Sequence, residues 1–421
     1  MKLDSICGTL ADHRGILGEQ CITLRDGHIQ GYTEAPRGEA LDLRGTPYTI
    51  LPGIIDLHVH LRGLQQSYKE DEETGTIQAV KAGITLVADM PNTRPRLETR
   101  EALLEKLDSL AAKSYTDYTV YAALPPQPAG LEELMKAPIA GFKAYPGDYK
   151  KLDDERYTGR LTSRLLVVHP EDPMAEEIAE VEDQRARSLV RGCHLEGLAV
   201  EEIASTVPGD VRVHITHASC RRTIELAKVH GYSVDVTPHH LYYDYNRSGC
   251  LYRVNPPLRD PQERWHLTSL VTAGMVDAIA SDHAPHAGWE KSEPLTCSPG
   301  IPWLPLWPWL IYRLFVASGL LDIAGFSRLT SMSPARILGL DDRYGELSPG
   351  YRANIIVVDP GWRWRFPGFT DSKHRLGVHF MEELVGVPLY TIVGGRIAWD
   401  YRRGLLQRAG VVNPFERGNL R

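Results

Sequence analysis

The stretch Ile54-Ile55-Asp56-Leu57-His58-Val59-His60-Leu61-Arg62 joins a run of apolar residues to two histidines that are two positions apart. Side chains in a β-strand alternate between faces with a period of two, so His58 and His60 are expected to point the same way. Two imidazoles at the end of a buried strand form half of a divalent-metal site, because neutral nitrogen donors suit zinc and related ions. The pair alone is equally compatible with histidines packed in a core.

Beyond this stretch, short apolar runs alternate with charged helical segments as far as residue 344. The predicted strands are residues 53–60, 84–90, 119–124, 139–145, 165–169, 211–217, 233–236 and 276–281. Plausible helices include residues 72–82, 99–113, 176–205 and 220–230. Eight strands with helical crossovers predict an α/β fold of the (β/α)8 TIM-barrel type rather than a doubly wound sheet.

Short strands are also predicted at both ends of the chain. Residues 1–50 contain apolar runs broken by turn residues, and strands return after residue 345. The later strands are predicted at residues 353–359 and 389–398, with a hairpin at Gly394-Gly395. At 421 residues the chain is long for a single core. We therefore predict a catalytic barrel of residues 51–344 and a small β-sandwich domain built from residues 1–50 and 345–421.

Composition excludes some classes of partner. The net charge of −7 and the isoelectric point near 6.2, without a basic patch, argue against nucleic acid and anionic membranes. The apolar residues 301–320 contain three prolines and Arg313, so we predict a proline-led loop that runs into a buried helix rather than a membrane span.

The six cysteines are scattered without a C-x-x-C pair, and no signal peptide is visible. They are interpreted as free thiols in a reducing cytoplasm.

Polar residues follow several of the predicted strands, at the end of a barrel where catalytic groups lie. They are His58 and His60 on the first strand, Lys143 near the end of the fourth, His169 closing the fifth, His217 closing the sixth and Asp282 directly after the eighth. Each alone is compatible with an ordinary core or surface residue, and the deeper His214 is interpreted as structural. Together, the six positions on one rim predict a metal site.

These positions resemble the amidohydrolase superfamily, and further motifs are similar to those of the dihydroorotase family within it. The motifs are Asp56 to Arg62, Tyr68-Lys69-Glu70, Glu73-Thr74-Gly75-Thr76, Asp89-Met90-Pro91-Asn92-Thr93, Thr237-Pro238-His239-His240-Leu241, Val254 to Arg259 and Ser281 to His286. The resemblance runs in order over residues 50–345, and Gly345 to Asn354 resembles the return to the small β-domain. It implies reversible zinc-dependent hydrolysis of L-dihydroorotate to N-carbamoyl-L-aspartate in pyrimidine (UMP) synthesis.

The resemblance also implies two zinc ions per subunit. Its ligand assignment is one ion on His58, His60 and Asp282, and the other on His169 and His217, with carboxylated Lys143 as the bridge. Asp282 would in addition be the catalytic residue that accepts a proton and returns it to the leaving nitrogen. Some relatives bridge the metals with an aspartate just after the fourth strand, so Asp148 remains an alternative.

Dihydroorotate carries a carboxylate that neutral cyclic amides lack. Arg62 offers a fork that matches it, and Asn92, Asn255 and His286 are further candidates for substrate binding. The alternative for Arg62 is a structural ion pair with Glu70, Asp71 or Glu72.

The substrate loops leave other questions open. Residues 296–303 are a candidate for backbone contacts to the ring amide. The chain departs from many dihydroorotases at Gly63-Leu64-Gln65-Gln66, where Asp-Pro-Gly is common.

Other functions remain open at this point. A different cyclic-amide hydrolase, such as an allantoinase or a dihydropyrimidinase, would share the metals and differ in the substrate loops. A non-catalytic subunit that scaffolds aspartate carbamoyltransferase would be expected to have lost ligands, and this chain retains them all. A small-molecule substrate is predicted, with aspartate carbamoyltransferase and a homo-oligomer as candidate partners.

Overall fold

The computed structural model describes residues 1–177, 181–293, 296–368, 371–373, 380 and 382–416. Its strands are β1 (Ser5–Asp12), β2 (Gly15–Arg25), β3 (His28–Thr33), β4 (Ala40–Asp42), β5 (Thr49–Pro52), β6 (Ile54–Val59), β7 (Ile84–Asp89), β8 (Asp117–Ala123), β9 (Gly141–Ala144), β10 (Leu165–Val168), β11 (Arg212–Ile215), β12 (Ser233–Val236), β13 (Ala278–Ile279), β14 (Ile355–Arg365), β15 (Glu383–Val393), β16 (Arg396–Asp400) and β17 (Leu405–Leu406).

The α-helices of the described residues are α1 (Glu72–Lys81), α2 (Arg100–Lys113), α3 (Gly130–Leu134), α4 (Tyr149–Leu152), α5 (Glu155–Thr158), α6 (Pro173–Glu177), α7 (Gln184–Val190), α8 (Cys193–Thr206), α9 (Arg221–Val229), α10 (Pro238–Tyr242), α11 (Pro261–Thr272), α12 (Trp307–Ile311), α13 (Ile323–Ser327) and α14 (Ser333–Leu338). Side chains cap several of them: Asp71 and Thr74 form a capping box on α1, and Thr99 accepts from the backbone of α2.

Strands β6 to β13 form one parallel sheet in sequence order, which confirms the predicted barrel. Every residue of β6, β7 and β8 is buried, as expected for parallel strands covered on both faces. The first and last strands meet through a parallel bridge between Val59 and His283. The backbone N–H of Ser281 also donates to Asp56 Oδ1 at 3.0 Å, so the barrel is nearly closed.

Two predicted elements differ from the structure. The last barrel strand is only Ala278–Ile279, shorter than residues 276–281, because the chain turns toward the rim at Asp282, where φ is +47°. The single helix predicted over residues 176–205 is broken into shorter helices, since Gly192 adopts an extended conformation before α8. Residues 178–180 of that prediction, and residues 417–421 of the predicted β-domain, lie outside the described ranges.

Both chain ends contribute to a second sheet, as predicted. Its order is β17-β16-β15-β14-β5-β1-β2-β3, with β4 paired to β1, so it is one continuous sheet rather than two separate ones. Gly394 and Gly395 form the predicted hairpin turn with φ of +54° and +72°. Many apolar residues of its strands form a core of their own, and others, such as Leu51, Ile356 and Val358, pack into the core of the barrel. The domain boundaries at residues 50 and 345 stay predictions.

The interpretation of all six cysteines as free thiols is wrong. Cys7 and Cys21 form a disulfide because the pairing of β1 with β2 sets them opposite each other. A second disulfide joins Cys193 to Cys220, 27 residues apart. Sequence spacing did not reveal either pair, since strand register and helix packing bring the partners together. Only Cys250 and Cys297 remain as free thiols.

The apolar stretch 301–320 forms a proline-led loop followed by α12 and a π-helical turn, Tyr312–Val316, as predicted. Within the described ranges, no helix has the length and apolar character needed to cross a membrane.

Candidate active site and metal centre

Three predicted ligands meet at the carboxyl end of the barrel. The Nε2 atoms of His58 and His60 each lie 3.3 Å from Asp282 Oδ1. All three side chains are buried, and their ligand atoms lie within 4.8 Å of one another. Imidazole nitrogen together with carboxylate oxygen is a donor set that suits zinc.

His169 and His217 lie beside this group. Their ring centroids are 4.4 Å apart, and the His217 ring is 5.2 Å from that of His58. Burial, followed by the nearby cationic groups, lowers the pKa of His58 and of His217, so these rings are neutral and able to donate a lone pair. The structure therefore brings the four predicted histidine ligands together.

Lys143 lies at the end of β9 and is fully buried. Within the described part of the chain, its Nζ atom has no hydrogen-bond partner, and the same is true of His217 Nδ1. Burial lowers the pKa of the Lys143 amine to about 7 and raises that of the Asp282 carboxyl to about 7. Burying an amine without a hydrogen-bond partner costs free energy unless a bound group supplies the missing interaction. The residues around Lys143 therefore fit a bound metal.

Hydrogen bonds behind the histidines select the nitrogen that each ring presents. His60 Nδ1 lies 2.7 Å from Asn92 Oδ1, and His58 Nδ1 lies 2.7 Å from Thr216 Oγ1, which leaves Nε2 of both rings for a ligand. His169 uses the opposite atom: its Nε2 is 2.7 Å from Glu171 Oε2, so Nδ1 remains.

Glu171 itself is held by Arg191, whose Nε and Nη2 donate to its two oxygens at 2.8 and 2.7 Å. Sequence reasoning did not single out Glu171, Arg191 or Thr216. They act from behind the ligands, and a lone polar residue in the sequence carries no signal of that role.

A cavity of about 170 Å³ opens onto this cluster. It is lined by His58, His60, Arg62, Asn92, Tyr145, His169, His217, Asn255, Asp282, Ala284, Pro299 and Gly300. Eight of the predicted residues are in this lining. His286 and Lys143 are not: His286 lies behind Arg62, with its Nε2 3.2 Å from Arg62 Nη2, and Lys143 is fully buried.

Arg62 is 5% exposed, and none of the ion pairs formed among the described residues includes it. Its Nε donates to the carbonyl of Pro285 at 3.2 Å. The alternative ion pair is not observed, because the nearby carboxylates have other partners: Glu70 accepts from Gln78, Asp71 pairs with Lys373 and Glu72 pairs with Lys106. Burial lowers the pKa of Arg62 from its ordinary high value, as expected for a guanidinium that lacks a close anion.

Three residues at the site have an unusual backbone conformation. Arg62, His217 and Asp282 have φ of +58°, +42° and +47°. This left-handed region is uncommon for residues other than glycine and persists where the surrounding structure enforces it, often at functional sites.

Asn255 and Asp148 each have contacts that limit their roles. Asn255 Oδ1 accepts from Arg187, so the amide N–H groups are what this side chain can offer to a ligand. Asp148 pairs with Arg96 at 2.5 Å and with Lys151 at 2.8 Å, and it does not line the cavity. Neither Asp148 nor Lys143 lines the cavity, but the Asp148 oxygens already have cationic partners, whereas Lys143 Nζ has no hydrogen-bond partner among the described residues.

Four lining residues were not assigned individually from the sequence: Tyr145, Ala284, Pro299 and Gly300. Tyr145 is the last residue of the predicted strand 139–145, which contains Lys143. Burial raises the pKa of its phenol, so the side chain stays neutral. Gly300 has φ of +143°, and a Cβ there would lie 2.5 Å from the Ala284 carbonyl, so only glycine fits. Pro299 and Gly300 belong to the loop predicted to contact the ring amide. The divergent residues 63–66 form a turn outside the lining.

Comparison with known proteins agrees with this geometry. The model of the amidohydrolase family matches residues 49–398. The chain belongs to the amidohydrolase family. This amidohydrolase is 44% identical over 409 residues to the dihydroorotase of Aeropyrum pernix, a match that covers 92% of each chain. The dihydroorotase of Saccharolobus solfataricus is 40% identical over 320 residues, which covers 75% of this chain and 76% of the relative.

Solved structures of the same fold include hydantoinases. The L-hydantoinase (dihydropyrimidinase) of Arthrobacter aurescens has a TM-score of 0.89 at 20% identity and covers 97% of this chain and 98% of its own. The D-hydantoinase of a Thermus species has a TM-score of 0.84 at 22% identity, with 96% and 97% covered. At these identities the likeness establishes the barrel and its second sheet.

Proposed function

We propose that this amidohydrolase is a dihydroorotase, a hydrolase of cyclic amides that reversibly converts L-dihydroorotate to N-carbamoyl-L-aspartate in pyrimidine synthesis. The observation that carries the proposal is Arg62, a buried guanidinium that forms no ion pair among the described residues and lines the same cavity as the histidines and Asp282. A buried cation is stable only with a compensating anion, and the carboxylate of dihydroorotate supplies one. The dihydroorotase relatives support the same assignment.

We further propose that two zinc ions bind here, with Lys143 carboxylated as their bridge. The Nζ of Lys143 is fully buried and has no hydrogen-bond partner in the described part of the chain, which supports this, because a neutral amine adds carbon dioxide, loses a proton and becomes an anionic carbamate. His58, His60 and Asp282 would hold one ion, and His169 and His217 would hold the other. When bound, zinc supplies Lewis acidity, which polarises a carbonyl and lowers the pKa of water to about 7.

The residues of the chain then divide the work. Arg62 binds the substrate carboxylate, and Asn92 and Asn255 contribute amide groups at the cavity wall. Asp282 accepts the proton of the attacking water on a carboxylate oxygen and returns it to the ring nitrogen as the amide bond breaks. His286 supports Arg62 from behind.

The runner-up functions make different use of the same cavity. A dihydropyrimidinase or an allantoinase acts on a ring without a carboxylate, and the unpaired Arg62 would then lack its anion. A non-catalytic subunit would have no need of the proposed ligands His58, His60, His169, His217 and Asp282 around one cavity. We propose that the protein acts in the cytoplasm. A second copy of this chain and aspartate carbamoyltransferase are the candidate partners. Light scattering with and without aspartate carbamoyltransferase tests both assemblies.

The experiment that tests the function combines metal analysis with turnover of four substrates. Purified protein is assayed with dihydroorotate, N-carbamoyl-L-aspartate, dihydrouracil and hydantoin, and zinc is counted per chain. We expect turnover of the first two, in opposite directions, and about two zinc ions. A preference for dihydrouracil or hydantoin would overturn the assignment in favour of the runner-up, and intact zinc binding without any turnover would favour the scaffold.

A further inference from the structure

A buried carboxylate behind the proposed metal centre contacts one of its ligands, His217, directly and another, His58, through Thr216. Asp235 lies on β12 and is fully buried. Its Oδ1 accepts from the backbone N–H of His217 at 2.6 Å, and its Oδ2 accepts from Thr216 Oγ1 at 3.0 Å. The Nε2 of His214 lies 2.8 Å from the same Oδ2. Asp235 is not in the cavity lining, so its effect on the site passes through these neighbours.

The contact between Thr216 and His58 determines where the imidazole proton lies. A hydroxyl has a single proton, and a carboxylate such as that of Asp235 only accepts, so Thr216 donates to Asp235. The lone pair of Thr216 Oγ1 is then left to accept from His58 Nδ1, 2.7 Å away. A neutral imidazole has one N–H, so Nε2 of His58 keeps its lone pair.

That lone pair is on the atom a metal requires. His58 Nε2 faces Asp282 Oδ1 at 3.3 Å, within the group of ligand atoms shared with His60. The opposite tautomer would put a proton on Nε2 and block coordination. Asp235 on β12 thus sets the tautomer of His58 on β6 through Thr216.

The other oxygen of Asp235 acts on the second half of the site. It holds the backbone N–H of His217, whose φ of +42° lies in the left-handed region. A residue in that conformation needs contacts that define it. His217 is a proposed ligand of the second ion, so one carboxylate supports a ligand of each ion.

We propose that Asp235, acting through Thr216 and through the backbone of His217, is a positioning residue that fixes the metal-binding tautomer of His58 and couples the two halves of the centre. The inference rests on the proposed metal centre and does not depend on which cyclic amide is the substrate. Asp235 gave no signal in the sequence, where it is the charged residue of the short run Ser233-Val234-Asp235-Val236.

Thr216→Val is the sharpest test, because valine keeps the shape of threonine and deletes only the hydroxyl. Metal-free protein is titrated with zinc alone in competition with a chromophoric chelator. We expect zinc affinity to fall by about 10- to 100-fold, the usual effect of removing a group that orients a ligand histidine. Thr216→Ser keeps the hydroxyl, so its zinc affinity should stay within about threefold of that of the unmodified protein.

The matched control is Thr119→Val on β8, because Thr119 is also fully buried and its hydroxyl has no hydrogen-bond partner among the described residues. This variant should bind zinc like the unmodified protein. Asp235→Asn is the second variant; the amide has only one acceptor oxygen, so the binding of both ions should weaken, with at least about a tenfold loss for each. Thermal unfolding confirms that each variant is folded.

The kinetic signature separates positioning from substrate binding. At limiting zinc, kcat of Thr216→Val should fall while KM stays unchanged, and excess zinc should restore kcat in part. The proposal would be overturned if Thr216→Val bound zinc within about threefold of the unmodified protein, or if Thr119→Val lost as much affinity. It would also be overturned if the unmodified protein bound no zinc. If Thr216→Val and Asp235→Asn lose zinc affinity as expected but neither the unmodified protein nor any variant hydrolyses dihydroorotate, the proposed function fails and the positioning role stands.

Discussion

Replacing Arg62 by Met removes the guanidinium from the cavity wall and keeps an unbranched apolar stem. The side chain is 5% exposed, and its observed partners are the Pro285 carbonyl and His286 Nε2, each at 3.2 Å. None of these partners is an anion. The fork is therefore available for a ligand carboxylate, and its loss should be felt chiefly by substrates that carry one.

The size of the effect follows from the kind of contact. A hydrogen bond that involves an ionised group contributes about 1.5–3 kcal/mol, and the bidentate form is at the stronger end. At about 1.4 kcal/mol per tenfold change, kcat/KM for dihydroorotate should fall about 10- to 150-fold. The substitution also leaves the Pro285 carbonyl without its donor, a cost that would be shared by all substrates.

The assay must separate these two effects. Initial rates of ring opening are measured for dihydroorotate and for dihydrouracil or hydantoin, which lack the carboxylate. The ratio of the two kcat/KM values should drop by about tenfold or more in Arg62→Met, because only the charged substrate loses an ion pair. Arg62→Lys keeps the charge and loses the fork, so its ratio should be intermediate. Turnover of dihydroorotate within twofold of the unmodified enzyme, or equal losses for charged and neutral rings, would refute the reasoning.

Three further predictions concern the metal centre and the cysteines. Lys143→Ala removes the proposed bridging anion, so zinc content should fall to one ion or none and activity should fall with it, with partial recovery when a short carboxylate is added; two tightly held ions and near-normal turnover would contradict this. Asp282→Asn removes the proton acceptor and should lower kcat by about a hundredfold or more, within the range of general acid–base contributions, whereas a near-normal rate would exclude the role. Of the six cysteines, four are paired, so thiol titration of the unfolded, unreduced protein should find two free thiols, Cys250 and Cys297, and six only after reduction.

The barrel and the grouping of the proposed ligands at one of its ends were predictable because the signals are local. His58 and His60 share a face through the two-residue period of a strand. Each of the other predicted ligands ends an apolar run, and in this fold the carboxyl ends of all strands meet on one rim. Residues distant in sequence could therefore be assigned to one place before any distance was known.

Other features depend on packing between distant segments. The break in the predicted helix over residues 176–205 depends on the backbone of Gly192, which helical periodicity does not report. The disulfides depend on strand register and on the docking of α8 beside α9, since separations of 14 and 27 residues carry no pairing signal. The cytoplasmic location therefore loses the support that free thiols lent to it.

The sequence by itself determined the fold class, the contribution of both chain ends to a second sheet and the identity of the residues on the catalytic rim, because periodicity and strand ends are properties of short segments. Only the tertiary structure decided which nitrogen each histidine presents, that Arg62 is buried and forms no ion pair within the described ranges, and that Asp235 lies behind two proposed ligands. Those facts depend on hydrogen bonds between strands and loops far apart in the chain. Such contacts exist only once the barrel has closed.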